Sequence, residues 1–369
     1  MKIGVMTHWT GRENYGQQLQ CWALQQFLMR RGYEPFLIRY APRPGLPYRI
    51  VGKLYHGFSS IFSRPAAPEP PSPGKLARAE QFEIFKRERL RQTRCIYTSP
   101  GGMKGEDIDA DAYICGSDQV WKFLSLDHYG TPWFLDFARL GIPRVAYSAS
   151  FGTAKVSEEF LRYIRPLLKK MTRIGVREKS GVDICARAGR PDAVHVLDPV
   201  LLLNADDYAP ITQMPETDKY AFYYFLSFPG QYPWNECKEF SRARGLRNVF
   251  VPVYDRSVFP FQEFEDPSIP QWIGMLQNAE YVFTNSFHGT CFSILFQRDF
   301  IFFPFPNPMC ERILSLLTML ELDDRIYTPC SGPLEKQMTR PIDWDRVSRK
   351  LFELQGYSCR FLDDALGHK

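Results

Sequence analysis

Several common signatures are missing from this chain. None of its nine cysteines pairs as C-x-x-C, and an odd, scattered set gives neither a disulfide framework nor a zinc site. Several of them fall in apolar runs, which suits reduced packing residues of a cytoplasmic protein. No apolar run approaches the roughly 20 residues needed to span a bilayer, and the opening strand-like stretch is too short for the apolar core of a signal peptide. The phosphate loop G-x-x-x-x-G-K-S/T and the dinucleotide fingerprint G-x-G-x-x-G are absent. So are G-x-S-x-G and H-E-x-x-H, which removes serine hydrolases and zinc proteases. A net charge of +5 over 369 residues is mild, and without a nucleic-acid motif it implies no nucleic-acid partner. No short repeat is visible, no ligand cluster demands a metal, and no cofactor is expected.

What is present is a large interior: 44% of the residues are apolar and 15% aromatic, in a chain long enough for two domains. Strand-like runs alternate with helical segments, the signature of parallel βαβ construction. The first half predicts strands at residues 2–6, 34–40, 111–115, 144–148, 173–176 and 194–198, with helices at 17–31, 156–171 and 178–188. The second half predicts strands at 220–227, 248–253, 281–284 and 299–303, then a helix over 344–366. The expected fold class is α/β, two Rossmann-like domains with parallel sheets facing a cleft. The N-terminal domain would span 1–205 and the C-terminal domain 218–340, with a helical tail, 341–369, crossing back to the first.

Residues 43–94 interrupt this order. Pro65, Pro68, Pro70, Pro71 and Pro73 cluster there, among many Lys and Arg side chains such as Arg49, Lys53, Arg64, Lys86 and Arg94. One reading is a basic surface for peripheral contact with the inner face of a membrane or an acidic acceptor. The plainer one is a solvated loop followed by a charged helix over 75–94.

If the strands are parallel, the residues following them gather on one rim, where ligands of open α/β sheets bind. That rim carries Asn14, Tyr15 and Gly16 after the first strand, Ser117 and Asp118 after the third, then Ser150, and then Arg177, Lys179 and Ser180. In the second half, Asn285, Ser286, His288, Gly289 and Thr290 form a turn from a buried strand into an apolar helix. Hydroxyls, glycines and a few cations suit an oxyanion held by N–H groups and a guanidinium fork. Competing readings remain: His288 packing a helix start, Ser117 and Asp118 as a helix N-cap, Arg177 paired with Glu178. His8 is a second histidine on the rim, and His195 reads as a strand residue beside the core.

The chain resembles the polysaccharide pyruvyl transferase family. The resemblance is carried by Lys2-Ile3-Gly4-Val5 with Asn14-Tyr15-Gly16, by 111–121 (DAYICGSDQVW), by Tyr147-Ser148-Ala149-Ser150-Phe151-Gly152, by Val176-Arg177-Glu178-Lys179-Ser180-Gly181, by Val196-Leu197-Asp198-Pro199-Val200 and by Thr284-Asn285-Ser286-Phe287-His288-Gly289-Thr290. It implies a fold of the glycosyltransferase-B type, phosphoenolpyruvate as donor, and a sugar acceptor in a surface polysaccharide or its lipid-linked precursor. It also implies His288 as acid/base group and Arg177 as a donor-binding arginine. Some relatives carry a basic residue two positions before the histidine, where this chain has Ser286. That departure shifts donor charge onto Arg177, Lys179 or helix N-termini. A sugar-nucleotide glycosyltransferase and a non-catalytic glycan-binding or assembly protein are the alternatives on the same fold.

Overall fold

The computed structural model describes residues 1–43, 73–122, 124, 126–216, 219–226, 232–253, 256, 259–261, 263–305 and 310–367. The first sheet begins with β1 (Lys2–Met6), α1 (Tyr15–Arg30) and β2 (Glu34–Leu37). After α2 (Pro73–Arg89) come β3 (Ala112–Cys115), β4 (Arg144–Ala149), α3 (Glu158–Leu168), β5 (Arg173–Val176), α4 (Lys179–Arg187) and β6 (Val194–His195). These six strands pair in the order β2-β1-β3-β4-β5-β6, all parallel. Both faces of the sheet are covered, so β3 and β4 read as continuous buried runs rather than alternating ones.

The second sheet holds β7 (Tyr220–Leu226), α5 (Trp234–Ala243), β8 (Arg247–Val253), α6 (Ile269–Gln277), β9 (Tyr281–Thr284), α7 (Phe287–Leu295) and β10 (Asp299–Phe302). Its order is β10-β9-β7-β8, again parallel. Then follow α8 (Glu311–Met319), the short α9 (Leu334–Met338) and α10 (Trp344–Leu366).

One apolar cluster runs through both halves, joining Leu19, Trp22 and Leu28 of α1 to Trp272 of α6, Phe292 of α7 and Leu362 of α10. Burial on that scale fixes the two sheets relative to each other. The long C-terminal helix α10 lies on the first sheet's side: Leu197 N donates to Ser358 Oγ (3.0 Å), Gln355 Nε2 to Leu201 O (2.8 Å), and Arg31 pairs with Asp363 (3.0 Å).

Three local departures from the sequence expectation have clear causes. Helix α1, expected over 17–31, runs from Tyr15 to Arg30 and is buried nearly all round. The amide nitrogens of its glutamines find partners inside, Gln18 Nε2 donating to the carbonyls of Trp9 and Gly11 and Gln20 Nε2 to Thr7 Oγ1. The charged helix ends at Arg89, not 94, because Gln25 clamps the backbone of Arg91 and the next residues run extended beside Leu37. Strand β2 stops at Leu37, and Tyr40 returns as a single bridge to Tyr97.

Most of the basic insertion, residues 44–72, lies outside the described residues, including Pro65, Pro68, Pro70 and Pro71. Within α2, Arg78 and Lys86 turn inward. Arg78 pairs with Glu13 of the first half (3.2 Å) and Asp266 of the second (3.1 Å). Among the described residues no helix is long and apolar enough to cross a membrane.

Candidate active site

The carboxyl ends of the two sheets meet, and a buried carboxylate lies at the meeting point. The turn after β6 places Asp198, whose Oδ1 accepts the Val200 N–H (3.1 Å) and caps a single turn of 3-10 helix. From the end of β3, Ser117 Oγ donates to Asp198 Oδ2 (2.6 Å). Arg177, leaving β5, donates from Nη1 to the same oxygen (2.9 Å) and reaches Asp118 Oδ1 from Nη2 (3.4 Å). From the other sheet, His288 Nε2 stands 3.8 Å from Asp198 Oδ1, beyond a hydrogen bond but within an ion pair once the ring is protonated. Thr7, leaving β1, ties this floor down by donating to Ser117 O (2.7 Å).

His288 reaches the carboxylate because α1 lets it through. The ring lies against Gly16, where an added Cβ would sit 2.0 Å from Nδ1. Gly289 is equally tight against Thr284, an added Cβ falling 2.4 Å from its Oγ1. Ser286 caps α7, its Oγ accepting the Gly289 N–H at 3.4 Å, and Thr290 Oγ1 returns a bond to Ser286 O (3.0 Å).

Electrostatics follow from burial among charges. Burial alone would raise Asp198, yet His288, Arg177 and the Ser117 hydroxyl outweigh it and hold the carboxyl well below the usual range. Asp118 behaves alike: burial opposes, but Arg177, His8 and His288 bring it down to about 2. Glu178 is pushed up by burial, with Arg177 and Ser150 acting against that. Its Oε1 accepts from Ser150 Oγ (3.1 Å) and Phe151 N (2.8 Å).

The residues expected on the rim divide into two groups. His288, Arg177, Ser117 and Asp118 converge on or beside Asp198, with Gly16 at the histidine's back. The remainder hold backbone or face elsewhere. Asn14 caps α1, accepting the Gln17 N–H at 3.2 Å. Tyr15 is buried, donating to Pro267 O (2.7 Å) and stacked on Trp272 at 5.2 Å. Asn285 clamps the end of β7, exchanging bonds with Leu226 N (2.7 Å) and Leu226 O (3.1 Å). Ser150 serves Glu178, Ser180 is buried with no partner for its hydroxyl, and Lys179 is exposed. Both Nη atoms of Arg177 are occupied by carboxylates, so its fork is turned toward the protein. His195 sits beside the core, its Nε2 3.0 Å from Arg177 O.

Two groups at the site carry little signal in the sequence. Asp198 lies in a matched motif but follows a two-residue strand, and nothing local marks it as the centre. Arg312, in the first turn of α8, reads as an ordinary helix cation. It is nevertheless buried, and its Cζ lies 5.6 Å from the Phe287 ring that Arg177 covers at 4.7 Å. Beside the Asp118 loop opens a cavity of about 370 Å³ lined by His8, Trp9, Tyr40, Lys122, Tyr129 and Trp133. No three His, Cys, Asp or Glu side chains among the described residues are grouped to hold a metal ion.

The family model for polysaccharide pyruvyl transferase matches residues 14–305, most of the chain. No curated protein matches the sequence. Among solved structures, a UDP-N-acetylglucosamine 2-epimerase aligns with 100% of this chain and 95% of its own at 9% identity and a TM-score of 0.50. LpCGTa in complex with UDP aligns at 11% identity, 100% and 99% coverage and TM-score 0.48. The UDP-GlcNAc 2-epimerase of Neisseria meningitidis bound to UDP-GlcNAc aligns at 7% identity, 97% and 99% coverage and TM-score 0.45. The fold is thus of the glycosyltransferase-B type with two Rossmann-like domains, and at such identities the likeness reaches no further than the fold.

Proposed function

This chain belongs to the polysaccharide pyruvyl transferase family, and we propose that it moves the enolpyruvyl group of phosphoenolpyruvate onto a sugar of a surface polysaccharide or its lipid-linked precursor, closing a pyruvate ketal across two hydroxyls. The observation that most supports this reading is His288 facing a carboxylate that Arg177 and Ser117 hold ionised. An imidazole can both deliver and accept protons.

In the proposed reaction, protonated His288 delivers its proton to the donor's methylene carbon, which becomes the methyl group and leaves an oxocarbenium-like centre at the adjacent carbon. The first sugar hydroxyl forms a C–O bond there and gives its proton to the imidazole. The C–O bond to phosphate breaks, and the second hydroxyl attacks the same carbon, its proton leaving with the phosphate. Asp198 is a positioning residue: it orients the ring and stabilises the cationic state between steps. The cavity lined by Trp9, Tyr40 and Trp133 offers apolar ring faces with phenol groups at the edge, a setting suited to a pyranose acceptor.

Incubating the protein with phosphoenolpyruvate and a panel of saccharide acceptors, then weighing the acceptors by mass spectrometry, tests the reading. It expects a gain of one ketal-linked pyruvate together with phosphate release. Transfer of a sugar from a UDP-sugar, or saccharide binding with no phosphate released, would instead favour a glycosyltransferase or a binding protein.

A further inference from the structure

Arg312 is 9% exposed, and its Nε and Nη1 are buried without a hydrogen-bond partner among the described residues. A guanidinium has donors only, so burying two of them unmet is costly unless an acceptor arrives. The charges of the nearby acids act on it, but neither Asp118 nor Glu178 hydrogen-bonds it. Asp118 is engaged by Arg177 and its own loop, with Gln119 N donating to Oδ1 (2.8 Å). Glu178 turns Oε1 to Ser150 and to the Phe151 and Gly152 amides (2.8 and 3.3 Å).

The surroundings share this surplus of donors. Arg177 Nε and Gln119 Nε2 are likewise buried and unmatched, against one leftover carboxylate oxygen, Glu178 Oε2. Arg312 and Arg177 both lie against the Phe287 ring, two like charges gathered by one aromatic residue next to the histidine. Lys122, on the wall of the neighbouring cavity, feels the charge of Arg312. Packing cations together with idle N–H groups is unfavourable in the empty protein and favourable once an oxyanion enters.

We propose that Arg312, with Lys122 on the neighbouring cavity wall, is the subsite for a phosphoryl group, taking the phosphate of the donor next to Phe287. The assignment rests on the pyruvyl-transfer reading for the identity of the donor, but not for the presence of a phosphoryl site. It also answers the departure at Ser286, because the cation comes from α8 instead of from the turn before the histidine. Arg177, whose Nη atoms hold Asp198 and Asp118, is left to position those carboxylates and to offer Nε.

The test is calorimetric titration of the wild type, Arg312→Met and Arg312→Lys with inorganic phosphate, phosphoenolpyruvate, pyruvate and UDP. The wild type is expected to bind phosphate and phosphoenolpyruvate. Arg312→Met should weaken both at least about tenfold while changing pyruvate binding little, since a charge-assisted hydrogen bond contributes on the order of a tenfold factor or more. Arg312→Lys, which keeps the charge and most of the packing, should fall between the two and carries the test if the methionine variant does not fold. In the absence of ligand, Arg312→Met should melt at a higher temperature than the wild type, whereas a merely structural arginine would leave it lower. Equal phosphate affinity in all three proteins, or a wild type that binds no phosphorylated probe, overturns the subsite. A wild type that binds UDP but not phosphoenolpyruvate, with the binding lost in Arg312→Met, keeps the phosphoryl subsite and removes the pyruvyl donor.

Discussion

Gly16 and His288 are in such close contact that a methyl group on the glycine would lie 2.0 Å from the imidazole Nδ1. The first helix of one sheet thereby sets the position of a histidine from the other. In Gly16→Ala the ring must move, because the backbone of α1 is held by a buried helix. Overpacking of this kind costs about 1–3 kcal/mol. The expected outcome is a folded protein with a modest drop in melting temperature and at least about a tenfold loss of donor turnover, since a displacement near 1 Å is enough for that. Turnover unchanged in the alanine variant would mean that the ring's place does not matter.

Asp198→Asn keeps the shape of the side chain and removes its charge. Arg177 would then keep Asp118 as its one carboxylate hydrogen-bond partner among the described residues, at a cost of about 3 kcal/mol. His288 would lose the charged partner that stands 3.8 Å from its Nε2. The account expects kcat to fall strongly with a smaller change in KM, measured as phosphate release against donor concentration.

The same carboxylates give the acid limb of stability. Asp198 and Asp118 have folded pKa values below the ordinary carboxylate, about 3.9. Their contribution is therefore complete above about pH 4 and is lost as pH falls toward about 2. Urea midpoints across that window should decline in the wild type and decline less in Asp198→Asn, from a lower starting value.

At the alkaline end, burial and then the charge of Arg312 bring Lys122 down to about 8, with Asp118 acting against them. The protonated amine favours an anion, and a bound anion raises the amine's pKa in turn. Donor affinity should hold steady up to about pH 8 and weaken above it. Titrations between about pH 7 and pH 9 check this, and Lys122→Met should flatten the alkaline fall.

Arg78 links Glu13 to Asp266 from within α2, so Arg78→Met should loosen the contact between the two halves. A loss of about 1–3 kcal/mol is expected, read by thermal denaturation, with faster hydrogen exchange in α2.

How much of this was legible depends on how local each signal is. The strand ending at Thr284, the turn and the apolar helix from Phe287 stand together in the sequence, and in the structure His288 follows that strand and faces Asp198. Arg177 and Ser117 are likewise visible as polar groups at strand ends. The loops of Asn14, Tyr15 and Asn285 are visible too, but not which way their side chains turn. Tyr15 and Asn285 are drawn to backbone groups distant in sequence, Pro267 O and Leu226, whereas Asn14 caps its own helix. Asp198 and Arg312 gain their meaning only where β6, α7 and α8 come together, and no periodicity or spacing encodes that meeting. The groups that meet the glutamines of α1, Trp9 O, Gly11 O and Thr7 Oγ1, come into place only when the chain folds.

The most direct measurement is phosphate release from phosphoenolpyruvate, in the presence of acceptor, by the wild type and by His288→Ala. The account predicts release by the wild type, and none above background from a variant that still folds and still binds the donor. Continued acceptor-dependent release by the purified alanine variant would contradict it.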